Sequence, residues 1–479
     1  MRRAIAFYVV HACRRVLLGQ LVDRRGLFWA HPLALLMDGP FFSHLVEVHA
    51  MSFVRWLAAI AAVLVVSAGV RSINWHPAEE MLTVWVYGSP QEAQLFRRIA
   101  DQYRRANPDI LFRLEVVPGR SVVQKLLTGM DAGHAPDVCV VHWRQMSQVA
   151  STGQLLALDD LVRRDGLAVE DYYPVGLQAY RYHDQLFGLP VKGSTITCFY
   201  NKALFDQYGV AYPSADWTWE EMLEKARELT VDTDQDGLYD VYGVSPYDIA
   251  NYVWSGGGDF LRMEEGRYVS NLDDPKVREA VQFYVDLFFK YKVSPPRPGV
   301  RSDAPMSTFT FEAGRIAIDI SGPWRIPQYQ HLDRFEWDTA LFPKGPDGRK
   351  TRYASIGFCI WKGSKQPELA WDLVKHMVGP EATAEMAKLG SDMPPQRSVS
   401  RRAFVREDTP WAEETFVASM DYDVHLFAQE KWWEDLYRRM LDELDGALTG
   451  RESVDVALAR AHRATNDYLD RIYVGEEAL

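Results

Sequence analysis

The chain has 479 residues, too many for one hydrophobic core, and its 47% hydrophobic and 25% charged content is that of an ordinary folded protein rather than a disordered or fibrous one. The net charge is −12; residues 1–76 carry eight Arg against three acids, so the remainder stands near −17 (−12 less the +5 of that stretch). Affinity for DNA or RNA comes largely from Lys and Arg neutralising phosphates, so no nucleic-acid partner is expected.

Residues 53–70, FVRWLAAIAAVLVVSAGV, place Arg55 before an apolar run from Trp56 to Ala68, with small residues following. That is the layout of a secretory signal. Met51 immediately precedes it and is expected to be the true start, leaving residues 1–50 as a non-native or disordered extension. The alternative is an uncleaved membrane anchor, for which the run is short against the roughly 20 apolar residues of a full span. Of the four cysteines, Cys139, Cys198 and Cys359 fall in the mature region among apolar neighbours, and Cys13 precedes it. An odd number argues against a disulfide framework, and without a CxxC or Cys/His cluster no zinc site is expected.

MLTVWVYG (81–88) alternates as a strand and ends at Gly88-Ser89-Pro90. A helical period over 91–108 stops at Asn107-Pro108, and ILFRLEVVPG (110–119) is a second strand. A helix over 121–133 leads to APDVCVVHW (135–143), apolar enough to be a central parallel strand. This alternation predicts a doubly wound α/β lobe with its ligand beyond the carboxyl ends of the strands, at Tyr87-Gly88-Ser89 and His142-Trp143. TITCFYN (195–201) reads as a strand passing to a second lobe, and DWTWEEMLEKARELT (216–230) as an amphipathic helix with a Thr218/Glu221 capping box. A helix follows over 273–293, then FEAGRIAIDISGPW (311–324), read as a short helix, a turn at Gly314 and a buried strand. YASIGFCIWKGS (353–364) is a crossing strand and 367–390 a helix broken near Gly379-Pro380. Two amphipathic helices close the chain, the first ended by Gly450 and the second capped by Ser453.

Asp232, Asp234, Asp236 and Asp240 around Gly237 match the first part of a calcium loop, where alternate oxygens converge on a hard cation. Position 12 is Gly243 rather than a bidentate Glu. Two readings stand: a structural Ca2+ site, or a calcium-free acidic turn. Among catalytic patterns, no GxSxG, HExxH, P-loop or strand-linked GxGxxG occurs, so no enzyme activity is expected.

FYNKALFDQYGV (199–210), FEAGRIAIDISGPW (311–324) and MPPQRSVS (393–400), followed by the helix pair that begins WWEDLYRRM (432–440), resemble in that order the extracellular solute-binding proteins of ABC-type sugar importers, the family that includes maltose-binding protein. The resemblance covers roughly residues 80–470. It implies a type II periplasmic-binding-protein fold with two α/β lobes and a hinge of crossing strands. Residues 77–190 with 345–390 would form one lobe, and 191–344 with 391–479 the other. It also implies a periplasmic monomer that captures a carbohydrate and delivers it to ABC permease subunits, with no cofactor beyond the candidate calcium. A membrane-tethered sugar sensor, or a binder of a polyol or glycerol phosphate, is the alternative.

Sugar rings present an apolar face that aromatic rings cover. Trp143 ends a strand. Trp324 in SGPW, Trp254 before Gly256-Gly257-Gly258, and Trp433 at the start of the helix pair match positions that border the cleft in relatives. Core packing is the competing reading for each. Arg325 and Arg397 can donate forked hydrogen bonds or form surface ion pairs, and Ser89 and Glu92 can bind hydroxyls or cap a helix. Gly357, on the crossing strand, completes the ligand-binding set.

Overall fold

In a computed structural model of the chain, residues 81–119, 122–296, 309–390, 392–406, 409 and 411–477 are described. The expected signal at 53–70 and the extension at 1–50 lie outside the described residues. Among the described residues no helix is long and apolar enough to cross a membrane.

The strands come in chain order as β1 (Leu82–Val86), β2 (Phe112–Val116), β3 (Val138–His142), β4 (Gly188–Ser194), β5 (Thr197–Asn201) and β6 (Tyr242–Ser245). A hairpin of β7 (Leu261–Glu264) and β8 (Arg267–Ser270) follows, then β9 (Ile316–Ser321) and β10 (Trp337–Leu341). The last are β11 (Lys350–Arg352), β12 (Ala354–Ile360) and β13 (Asp423–His425). The main helices are α1 (Pro90–Ala106), α2 (Val122–Asp131), α3 (Trp219–Glu228), α4 (Ile249–Ser255), α5 (Pro275–Phe289), α6 (Pro367–Met377), α7 (Pro380–Ala387), α8 (Trp433–Leu448) and α9 (Val454–Glu477).

Two sheets organise the unit Met81–Leu479, one in each of two α/β lobes. The first has the order β2-β1-β3-β12-β4. β1 pairs in parallel with β2 and β3, as the intervening helices α1 and α2 require, and β12 runs antiparallel to both β3 and β4. The second has the order β10-β5-β9-β6. Apolar strands such as β3 and β9 are central because both faces are covered; β9 is buried along its whole length.

The chain passes from β4 to β5 through the fully buried Thr195-Ile196, and returns from β10 to β12 by way of β11. Tyr353 fixes this crossing: a Cβ on Gly193 would lie 2.1 Å from its hydroxyl, so only glycine fits beneath the ring. The chain from Pro395 to Phe404 stays stitched to the first lobe, with the Tyr173 amide donating to Pro395 O at 3.0 Å. α9 belongs to the second lobe, since its Tyr473 hydroxyl and Asn466 side chain accept from the Tyr268 and Ser270 amides, each at 2.8 Å.

Local signals hold closely. Ser89 caps α1 and Thr218 caps α3, each with a complete capping box. Gly379-Pro380 separates α6 from α7, as a Pro at the first helical position does. The short helix expected at the start of 311–324 is instead a pair of turns, ended by Gly314 at φ +72° before a single helical hydrogen-bond ladder can form.

Candidate functional site

The carboxyl ends of β1 and β3 face those of β6 and β9 across the lobes, and polar side chains converge there. Beyond β1, the Ser89 amide donates to Glu92 Oε2 at 2.7 Å, leaving Oε1 to accept from Lys192 Nζ on β4. Lys192 also donates to Asp392 Oδ2 at 2.5 Å. All three charged side chains are at most 13% exposed. Burial pushes the Glu92 carboxyl up, but Lys192 and the Ser89 bonds outweigh it and hold the group below its ordinary range. Burial wins at Asp392, whose carboxyl is raised despite Lys192. Two carboxylates raise Lys192 against its own desolvation.

Beyond β3, Trp143 is buried and stacks on Phe427 of the second lobe, with centroids 5.6 Å apart and 14° between planes. Arg144 Nε pairs with Glu434 Oε1 of α8 at 2.7 Å, and its guanidinium lies over Phe427 and Tyr437. Burial, with Arg352, Arg144 and Lys192 nearby, pushes His142 down to about 3, so its neutral Nδ1 accepts the Arg144 amide at 3.3 Å.

Arg352 sits between the lobes. Only 5% exposed, its guanidinium lies 5.8 Å from the Trp143 ring of the first lobe and 5.4 Å from Tyr247 of the second. Its Nε is 3.7 Å from Asp248, which also accepts from the Tyr437 hydroxyl at 3.0 Å. Tyr247, exposed, meets the partly exposed Trp324 with centroids 5.8 Å apart. Buried donors without a hydrogen-bond partner include the Tyr87 hydroxyl beyond β1, Trp143 Nε1 beyond β3, Nε of Arg352, and Nε of Arg325 beyond β9. An unpaired buried donor costs stability unless another group meets it, and hydroxyl oxygens are such groups.

A profile of the bacterial extracellular solute-binding proteins matches residues 87–384. The chain belongs to that family. Among relatives of this extracellular solute-binding protein, one from Brucella abortus named only as a binding protein is 23% identical over 415 residues, 85% of this chain and 97% of its own. The maltotriose-binding protein of Pyrococcus abyssi is 23% identical over 311 residues, 64% of each chain. An ABC substrate-binding protein of Listeria monocytogenes, solved with cycloalternan, superposes with a TM-score of 0.71 at 22% identity, covering 81% of this chain and 99% of that one. These likenesses give the solute-binding protein its two-lobed fold.

Of the expected site residues, Ser89 and Glu92 bond to one another beyond β1, and Trp143 lies beyond β3 of the same sheet. Trp324 and Arg325 follow β9 on the second, where Arg325 Nη1 bonds Gln328 at 3.1 Å. Trp254 and Trp433 are buried around the same Phe427, with centroids 5.1 Å from its ring in each case. Gly357 lies inside β12 under Tyr180, where a Cβ would sit 2.6 Å from the ring. Arg397 stands apart, beside Tyr173. Lys192, Asp392, Arg352, Asp248, Tyr247 and Glu434 escaped the sequence reading. One signal was available: Lys192 interrupts the otherwise uncharged run LPVKGSTITC.

Two cavities of about 440 and 540 Å³ lie beside this network. The smaller is lined by Val175 and Gln178 on one side and by Asp259, His425 and Trp433 on the other. In the acidic loop, carboxylate oxygens of Asp232, Asp234 and Asp240 come within 4.8 Å of one another. Asp236 instead accepts the Leu238 amide at 2.8 Å.

Proposed function

We propose that this extracellular solute-binding protein captures a neutral oligosaccharide between its lobes and passes it to an ABC permease, performing no chemistry on it. The observation that carries this reading is that every cation of the interlobe network is matched by a carboxylate: Lys192 faces Glu92 and Asp392, Arg144 faces Glu434, and Arg352 faces Asp248. With each of these cations matched, a glycerol phosphate would leave its own charge uncompensated in a desolvated site. A polyhydroxylated neutral ligand instead meets the unpaired donors of Tyr87, Trp143 and Arg352, while Tyr247 and Trp324 offer partly open ring faces. The saccharide-binding names among its relatives and structural neighbours support the same class. The protein acts as a monomer outside the cytoplasm, exported by the 53–70 segment.

Capture works by closure. An oligosaccharide shifts the equilibrium between open and closed forms only through contacts that exist in the closed one. The test is a thermal-shift screen of linear oligosaccharides, maltotriose first. A ligand at a hundredfold excess over its Kd stabilises by about 2.7 kcal/mol. A panel in which no saccharide moves the melting temperature, while glycerol phosphate does, overturns the reading. Release of shorter sugars during incubation would contradict the absence of catalysis.

A further inference from the structure

The larger cavity, about 540 Å³, is lined by Tyr173 and Val175 on one side and Met420 and Tyr422 on the other, with Arg397 and Arg401 between. Among the described residues no carboxylate lies within ion-pair distance of either guanidinium. The carboxylates nearby in the chain are already engaged. Asp171 accepts the Ser398 amide at 3.0 Å, and Glu413 accepts Nε of Arg406 at 3.1 Å. Asp421 also lines the cavity, leaving one positive charge in excess.

The backbone here is unusual. Arg397 opens a single α-helical turn, Arg397–Val399, that continues as a π-helix over Ser400–Phe404. Such wide turns concentrate at functional sites. Like charges four residues apart on a helix repel, yet both arginines line one space, in a protein whose net charge is −12. The exposed Arg397 places its guanidinium 5.7 Å from the ring of buried Tyr173, a cation–π distance. Planar guanidiniums match oxyanions bidentately.

We propose that Arg397 and Arg401 form an oxyanion-binding site, separate from the interlobe network of matched cations, for a small molecule or glycan substituent bearing a carboxylate, sulfate or phosphate. The volume fits a group of monosaccharide size, within the range of small-molecule pockets.

The full chain is titrated calorimetrically with inorganic phosphate, sulfate and glucuronate at constant ionic strength, beside R397Q/R401Q and R402Q variants. Arg402 is exposed, as Arg397 and Arg401 are, but does not line the cavity. Binding of at least one oxyanion by the wild type and R402Q, weakened tenfold or more in the double variant, supports the site, and the preferred probe distinguishes carboxylate from phosphate or sulfate. Binding by none of the three, or equal binding by the double variant, overturns it. The same panel of linear oligosaccharides is titrated in parallel: failure of every member to bind while an oxyanion binds through these arginines removes the oligosaccharide reading and leaves this site standing.

Discussion

Arg144 at the end of β3 and Glu434 in the first turn of α8 join the two lobes through one ion pair, 2.7 Å from Nε to Oε1, with side chains 21% and 30% exposed. Around it, Trp143 stacks on Phe427 and the Arg144 guanidinium covers that ring. These contacts exist only when the lobes are together. R144M is therefore expected to enlarge the radius of gyration of the unliganded protein in small-angle scattering. Its cost to stability should be about 1–3 kcal/mol, between the values of exposed and buried pairs. An unchanged scattering profile would show that the pair does not hold the lobes.

Lys192 is the charge whose loss should matter most. K192M leaves Glu92 and Asp392 buried and facing one another, a change expected to cost about 3–5 kcal/mol. The pH dependence separates this from simple loss of packing. In the wild type, the depressed Glu92 contributes stability that is present at neutral pH and lost as acid carries the pH down through its folded value. The raised Lys192 contributes stability that persists below the ordinary lysine range and disappears as the pH rises through its higher folded value. In K192M both carboxyls are raised, so the folded state binds more protons than the unfolded one, and stability should recover between pH 7 and pH 5. A variant whose stability follows the wild-type profile, with no recovery over that window, would refute the arrangement.

Much of this was legible in the primary structure. Period, caps and Pro/Gly breaks placed α1, α3 and the α6/α7 division, because those signals act over a few residues. The sequence pointed to the lobe junction only where a residue ends a strand, as Trp143 does and as Ser89 does in capping the next helix. Asp392 meets Lys192 across a separation of 200 residues, and Arg144 meets Glu434 across 290. No local pattern encodes such pairings. The aromatic positions show the same limit: a strand end marks Trp143, and the family resemblance Trp254 and Trp433, as candidates, but only the fold reveals that Phe427 gathers them.

That gathering makes the tryptophans distinguishable by experiment. Trp143 and Trp254 are at most 2% exposed, whereas Trp324 keeps an open face beside Tyr247. W143A and W254A should each destabilise by about 3–5 kcal/mol through the cavity left behind. W324A should melt near the wild type and lose the thermal shift that a bound oligosaccharide produces. Denaturant unfolding with and without maltotriose measures both. A fully retained shift in W324A would remove that ring from the site.

The acidic loop yields the last expectation. We propose that Asp232, Asp234 and Asp240 hold a structural calcium ion, because their oxygens already converge within 4.8 Å and one of them, Asp232 Oδ1, has no hydrogen-bond partner. Gly237 at φ +90° supplies the sharp turn, and its amide donates to Asp232 Oδ2 at 2.8 Å. The Thr233 amide, at 2.8 Å, and its hydroxyl both donate to Asp240 Oδ2 and hold that carboxylate in place. Calcium at 100 Kd should then stabilise the fold by about 2.7 kcal/mol. EDTA should reverse the gain, and D234N should abolish it without changing the metal-free melting temperature. A calcium response identical in wild type and D234N would place the ion elsewhere, and no response at all would leave the loop an acidic turn held by its own amides.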